Sequence, residues 1–99
     1  MKLFDLTNKA KNDLVKIAVY TEEHWGKAQR NYYIKQFDNL FYLIANNPSA
    51  GKACDYIKEG YRKFPQGSHI IFYKKGTTCK IEIIRILHKS MDITTHFIQ

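Results

Sequence analysis

The 99-residue sequence predicts a single α+β domain, residues 1–99, in which an N-terminal strand and a helical hairpin precede a three-stranded antiparallel meander, in the order β-α-α-β-β-β. Three observations predict it. First, three runs rich in β-branched and aromatic residues, Gly60–Phe64, His69–Tyr73 and a run from Ile81, are separated by Pro65–Ser68 and Lys75–Thr78. Turn residues end each run, and loops this short require antiparallel neighbours. Second, two upstream stretches carry apolar residues at helical spacing. Third, only Gly26 separates those stretches, so the helices fold back on each other and cover one face of the sheet.

Lys2–Leu6 alternates, with Phe4 and Leu6 on one face, and is short enough to be one strand joining the meander. Thr7 and Asn8 can each accept from the free N–H groups of a first helical turn, so a helix should begin there. Ala10, Leu14, Ile17, Ala18, Thr21 and Trp25 form its apolar stripe, and Gly26 ends it. Tyr33, Phe37, Leu40, Phe41 and Ile44 form the stripe of a second helix, from about Lys27 to Ala45. Asn46-Asn47-Pro48 stops that helix, because proline cannot continue it. From Pro48 to Glu59 the pattern dissolves into a loop or one short helical turn, and the tail after Asp92 carries no strong signal. On the third strand of the meander, alternation sets Ile84 and Ile86 opposite Arg85 and Leu87. On the first, Tyr61 and Lys63 share one face, and Arg62 and Phe64 the other.

A chain of this length buries roughly 60 to 70% of its unfolded surface, so its stability margin is small. The formal charge is +7, from 16 Lys and Arg against 9 Asp and Glu. Residues 1–50 hold 7 basic and 5 acidic side chains and residues 51–99 hold 9 and 4, so the excess lies on the sheet half. An anionic partner is expected. Cys54 and Cys79 are too few and too far apart for a disulfide framework, and read as free thiols of a reducing cytosol. No run has the length of a signal peptide or a membrane span, which predicts a cytoplasmic protein without a membrane partner.

No His, Cys or carboxylate pair has HxxxH, HExxH or CxxC spacing, and the five glycines form no phosphate loop, so neither metal nor cofactor is expected. Arg62, Lys63, Arg85, His88 and Lys89 lie on strands or strand ends of one small sheet, where their charges would sum into a positive surface. Solvated strand faces explain the same alternation. His88 beside Lys89 and Ser90, with Arg85 near a phosphate, is chemically adequate for metal-free ribonuclease chemistry but incomplete, because the four histidines are scattered in sequence. The 14% aromatic content could stack bases, yet most of those rings fall on the helical stripe.

Taken together, the opening strand with Leu6-Thr7, Tyr20, Trp25-Gly26, Asn47-Pro48…Gly51, Gly60-Tyr61-Arg62-Lys63-Phe64, His69–Tyr73 and Arg85-Ile-Leu-His-Lys-Ser-Met-Asp92 resemble the RelE/ParE toxin superfamily, and within it the ParE branch. The resemblance covers nearly the whole chain, and its last segment is the most specific. It implies a RelE/ParE-like α+β toxin that poisons DNA gyrase by trapping the cleaved-DNA complex. It also implies a ParD-like antitoxin whose disordered C-terminal segment folds on the toxin in a hetero-oligomer. The target-binding surface would comprise Arg62, Lys63, Arg85, His88, Lys89, Ser90, Met91 and Asp92. Trp25, Tyr32, Tyr61 and Phe64 would line an antitoxin groove between hairpin and sheet edge. Relatives that cut mRNA on the ribosome use a cluster of Lys, Arg, His or Tyr; here Arg62, Arg85 and His88 would serve, but the tail has no Tyr. Direct contact with nucleic acid stays open.

Overall fold

The computed structural model describes residues 2–91 and 93–97; Asp92, expected in the target-binding set, lies outside the described residues. The elements run β1 (Lys2–Leu6), α1 (Asn8–Asn46), a 3-10 turn (Pro48–Ala50), β2 (Lys52–Ala53), β3 (Arg62–Gln66), β4 (His69–Lys75), β5 (Cys79–His88) and α2 (Ile93–Phe97). The sheet order is β1-β5-β4-β3-β2, with β1 parallel to β5 and the other pairs antiparallel.

Thr7 caps the helical tract by accepting from the Ala10 N–H at 3.0 Å. The tract breaks at Gly26, whose φ of 87° and ψ of 173° suit only a residue without a Cβ, so α1 consists of two arms. The Glu22–Arg30 ion pair ties the arms across this tip. The hairpin therefore forms where the sequence places it. Ala10, Ile17, Phe37, Phe41 and Ile44 bury their side chains against Ile71, Tyr73, Ile81, Ile83 and Ile86 of the sheet. At the far end, the Tyr73 hydroxyl donates to the Pro48 carbonyl at 2.7 Å and accepts from the Gly51 N–H at 2.8 Å, which locks the segment after α1 onto β4. A Cβ on Gly51 would strike that hydroxyl.

Three expectations need correction. The stretch 48–59, read as a loop or one short helical turn, contains that turn at Pro48–Ala50 but also the two-residue edge strand β2, and Ile93–Phe97 of the tail form the helix α2. The second face of the sheet is not open: Cys54, Tyr61, Phe72 and Leu87 form a second buried cluster, covered by Ile57, Ile93 and Phe97. The Phe97 ring packs edge-on against Phe72 at 5.0 Å and Tyr61 at 5.9 Å. Finally, Ile84 and Ile86 do not share a face. Phe72 pairs with Arg85 but Tyr73 pairs with Ile83, so Ile84 is an extra residue, a β-bulge. Ile84 packs with the second cluster and Ile86 with the first.

The bulge is held from α1. The Thr7 N–H donates to the Ile83 carbonyl at 3.0 Å and its hydroxyl to the Ile84 carbonyl at 2.8 Å. Asp13 accepts from the Ile86 N–H at 2.9 Å, from Arg85 Nε at 2.8 Å and from Arg85 Nη2 at 3.0 Å. The ion-pair side chains are only 14% exposed at Arg85 and 8% at Asp13. Among the described residues, no helix is long and apolar enough to cross a membrane.

Asp13→Ala strips a buried guanidinium and a buried N–H of their shared acceptor, and is expected to cost about 3 to 5 kcal/mol. Urea unfolding measures it, and a loss under about 1 kcal/mol, typical of an exposed pair, contradicts the assignment.

Candidate functional site

The bulge brings together two residues that the sequence holds nineteen positions apart. His69 and His88 are direct cross-strand partners, with ring centroids 5.3 Å apart and planes at 86°. Regular pairing from the β4–β5 turn would have set Leu87 opposite His69. The pair sits at the open end of the sheet, beside the β3–β4 turn, and faces the first arm of α1. A groove runs over it in two connected parts of about 290 and 470 Å3. Its walls are Lys16, Ile17 and Tyr20 on the first arm, Trp25, Gln29 and Tyr33 around the hairpin tip, Gly67 and Ser68 in the turn, and Ser90 and Met91 beyond β5.

Each imidazole is held by a hydroxyl at Nδ1. His69 Nδ1 lies 2.8 Å from the Tyr33 hydroxyl, which also donates to the Gln66 carbonyl at 3.2 Å. Both contacts are satisfied when Tyr33 gives its proton to the carbonyl and accepts one from His69 Nδ1, a tautomer assigned from the network. His88 Nδ1 lies 2.7 Å from Ser90 Oγ and 3.2 Å from the Ser90 N–H, which donates to it. Burial, with the neighbouring His88 adding to it and Asp13 opposing it, lowers the His69 pKa to about 4, so His69 is neutral at neutral pH. Burial raises the pKa of the Tyr33 hydroxyl and keeps it protonated. At the rim, Tyr20 stacks on His24 at 3.9 Å, and Tyr20 and Trp25 are 55% and 63% exposed. Both rings are open to solvent at the groove and so available to a partner.

A sequence profile of the family described as "ParE toxin of type II toxin-antitoxin system, parDE" matches residues 4–93. The chain belongs to the ParE toxin family. Toxin ParE1 of Caulobacter vibrioides is 38% identical over 96 residues, 97% of this chain and 98% of that one. Toxin ParE1 of Mycobacterium tuberculosis is 36% identical over 88 residues, 89% and 90% of the two chains. A solved structure titled "Chromosomal ParDE TA system from P. aeruginosa" superposes with a TM-score of 0.73 over 89% of this chain and 96% of that one; at 17% identity it speaks for the fold alone.

In this ParE-type toxin of a type II toxin-antitoxin system, the expected cations do not share a surface. Arg85 is spent inside, on Asp13. Arg62 donates to the Gly51 carbonyl at 2.7 Å, on the helix-covered side, and pairs along the sheet with Tyr73. Tyr73 is four residues of β4, about 13 Å, from His69. Lys63 lies on the other face, where its ammonium meets the Tyr56 hydroxyl at 3.1 Å. Arg62, Arg85 and His88 therefore do not form one cluster, each being held by separate partners. His88, Ser90 and Met91 do meet at the groove, and Lys89 is exposed beside them. Of the four expected groove aromatics, Trp25 lines the groove and Tyr32 is exposed outside its lining. Tyr61 is buried in the second cluster and Phe64 is partly buried against the main core, so neither lines this groove. Sequence reading missed His69, Tyr33 and Gln29. Only the symmetry of a β4–β5 hairpin could have hinted at His69, and the bulge hides it.

The unfolded chain binds a proton at His69 near pH 6.5, the folded chain only near 4, so between these values the unfolded state holds more protons and stability rises with pH. Stability contributed by neutral His69 is thus present above pH 6.5 and lost as pH falls toward 4. His69→Gln should flatten that segment of the pH profile of the urea midpoint; an unchanged slope contradicts the assignment.

Proposed function

We propose that this toxin inhibits DNA gyrase by stabilising its cleaved-DNA state, and that a ParD-like antitoxin neutralises it by filling the groove over His69 and His88. The observation that carries the reading is full-length similarity to ParE toxins, at 36 to 38% identity over most of the chain. A ligand that binds the broken-DNA state more tightly than the resealed one shifts that equilibrium by its differential affinity and needs no chemistry of its own. The surface left for this is the groove rim, with Tyr20, Trp25 and Met91 exposed and Lys16 and Lys89 beside them. Arg62 and Arg85 serve the fold instead. An antitoxin segment seated along the same rim would exclude the target by occupancy.

The ligand chemistry follows from charge and shape. A chain of net +7 favours an acidic segment, and a groove edged by aromatic rings favours one with an apolar stripe. Charge steers the encounter, and buried rings hold the complex.

With purified gyrase, micromolar toxin should suppress supercoiling and accumulate cleaved DNA, and unaltered activity at that concentration rejects the gyrase reading. For the antitoxin, added salt should slow association more than it speeds dissociation. Trp25→Ala should weaken the complex by about 2 kcal/mol, as an interface anchor does, with little change in thermal stability because the ring is already solvated. A salt-independent on-rate, or full affinity in the variant, counts against this groove.

A further inference from the structure

We propose that His69 and His88 form an open two-histidine site for a divalent late transition-metal ion, with Zn2+ as its probe. The site is independent of the gyrase reading. It rests on geometry. Two imidazoles on one tetrahedral Zn2+, at about 2 Å from metal to nitrogen, have ring centres roughly 5 Å apart. The ring centres of His69 and His88 are 5.3 Å apart, on strands whose mutual register fixes them.

Both rings also carry outer partners of the kind that orient metal ligands. A ligating histidine uses one nitrogen on the metal and donates its other N–H to a neighbouring oxygen, which sets the tautomer. Here the Tyr33 hydroxyl lies 2.8 Å from His69 Nδ1 and Ser90 Oγ lies 2.7 Å from His88 Nδ1. With both Nδ1 atoms donating, both Nε2 lone pairs are available to the ion. His69 already matches this state. His88 reaches it by moving its proton from Nε2 to Nδ1, which retains the Ser90 hydroxyl contact and gives up the longer 3.2 Å bond from the Ser90 N–H.

Burial keeps His69 unprotonated at neutral pH, as a ligand must be. Among the described residues, no three His, Cys, Asp or Glu side chains converge, so the protein would supply two ligands, both from the groove lining, and leave the other positions to solvent or a partner. A carboxylate of an acidic segment lying in the groove could take one. Two imidazole ligands hold an ion more weakly than a closed four-ligand structural site, and imidazole suits Zn2+, Ni2+ and Cu2+.

The test uses the untagged full chain stripped with a chelator, titrated with Zn2+ by calorimetry and with Co2+ by absorption. One ion per chain is expected. His69→Gln and His88→Gln should each weaken binding about ten-fold or more, as should Tyr33→Phe, which keeps the ring and removes only the outer oxygen. His24→Gln should bind as the parent does. NMR of the parent gives a readout that no variant can confound: Zn2+ should shift the ring signals of His69 and His88 together, at one concentration. Binding that survives both histidine substitutions, or ring signals that stay in place, overturns the site.

Discussion

Asp13 accepts three hydrogen bonds at the one place where β5 leaves regular pairing, and the facing of every side chain from Ile84 to His88 follows from it. Strand residues alternate, so one inserted residue exchanges the two faces for everything after it. Before the bulge, Ile81 and Ile83 face the helices; after it, Ile86 does, and Ile84 and Leu87 turn to the second cluster. Without the insertion, Leu87 would lie under the helices and His88 would point away from His69. A carboxylate on the first arm of α1 thereby builds a groove at the other end of the strand. The guanidinium of Arg85 reinforces the clamp, and the raised pKa that its bond to Asp13 gives it keeps it charged throughout.

The elements that local rules specify were legible. Gly26, with no Cβ, allowed a hairpin to be read from one residue; Thr7 marked the cap; Pro65–Ser68 and Lys75–Thr78 marked the turns. The features set by tertiary contact were not. Ile81–Leu87 is nearly all apolar apart from Glu82 and Arg85, so it carries no mark of which residue is the insertion. β2 is two residues long and α2 five, lengths at which propensity says little: β2 is held by edge pairing with β3, and α2 covers the apolar second face, with Phe72 at its centre. The site suffered accordingly: His88 and Trp25 could be read, but their partners His69 and Tyr33 depend on the bulge and on the turn.

Charge gave the least local guidance. Counting cations by element suggested one basic sheet surface, yet two of the chain's three arginines, Arg62 and Arg85, act as hydrogen-bond donors to the Gly51 carbonyl and to Asp13. An arginine fork matches carboxylates and carbonyls with fixed geometry, so an arginine in a small domain is as apt to be a brace as a contact. The lysines differ in kind. Lys16 and Lys89 have flexible, solvated heads at the groove, and there they add a diffuse positive field rather than a directed bond.

The self-covered second face narrows where recognition can happen. Apolar surface that a partner could bury must be exposed in the free chain, and on the sheet the large rings Phe72, Tyr61 and Tyr73 are already buried. Large apolar side chains stay open along both arms of α1 and at Tyr56, but beside the histidine pair they gather as Tyr20, Trp25 and Met91. Rigid backing makes this surface effective, because the Tyr33 hydroxyl ties the second arm to the β3–β4 turn, and the Glu22–Arg30 pair ties the second arm to the first. A partner that closes over the rim therefore meets preorganised rings and pays little to order them, which is the condition under which a small groove can bind tightly.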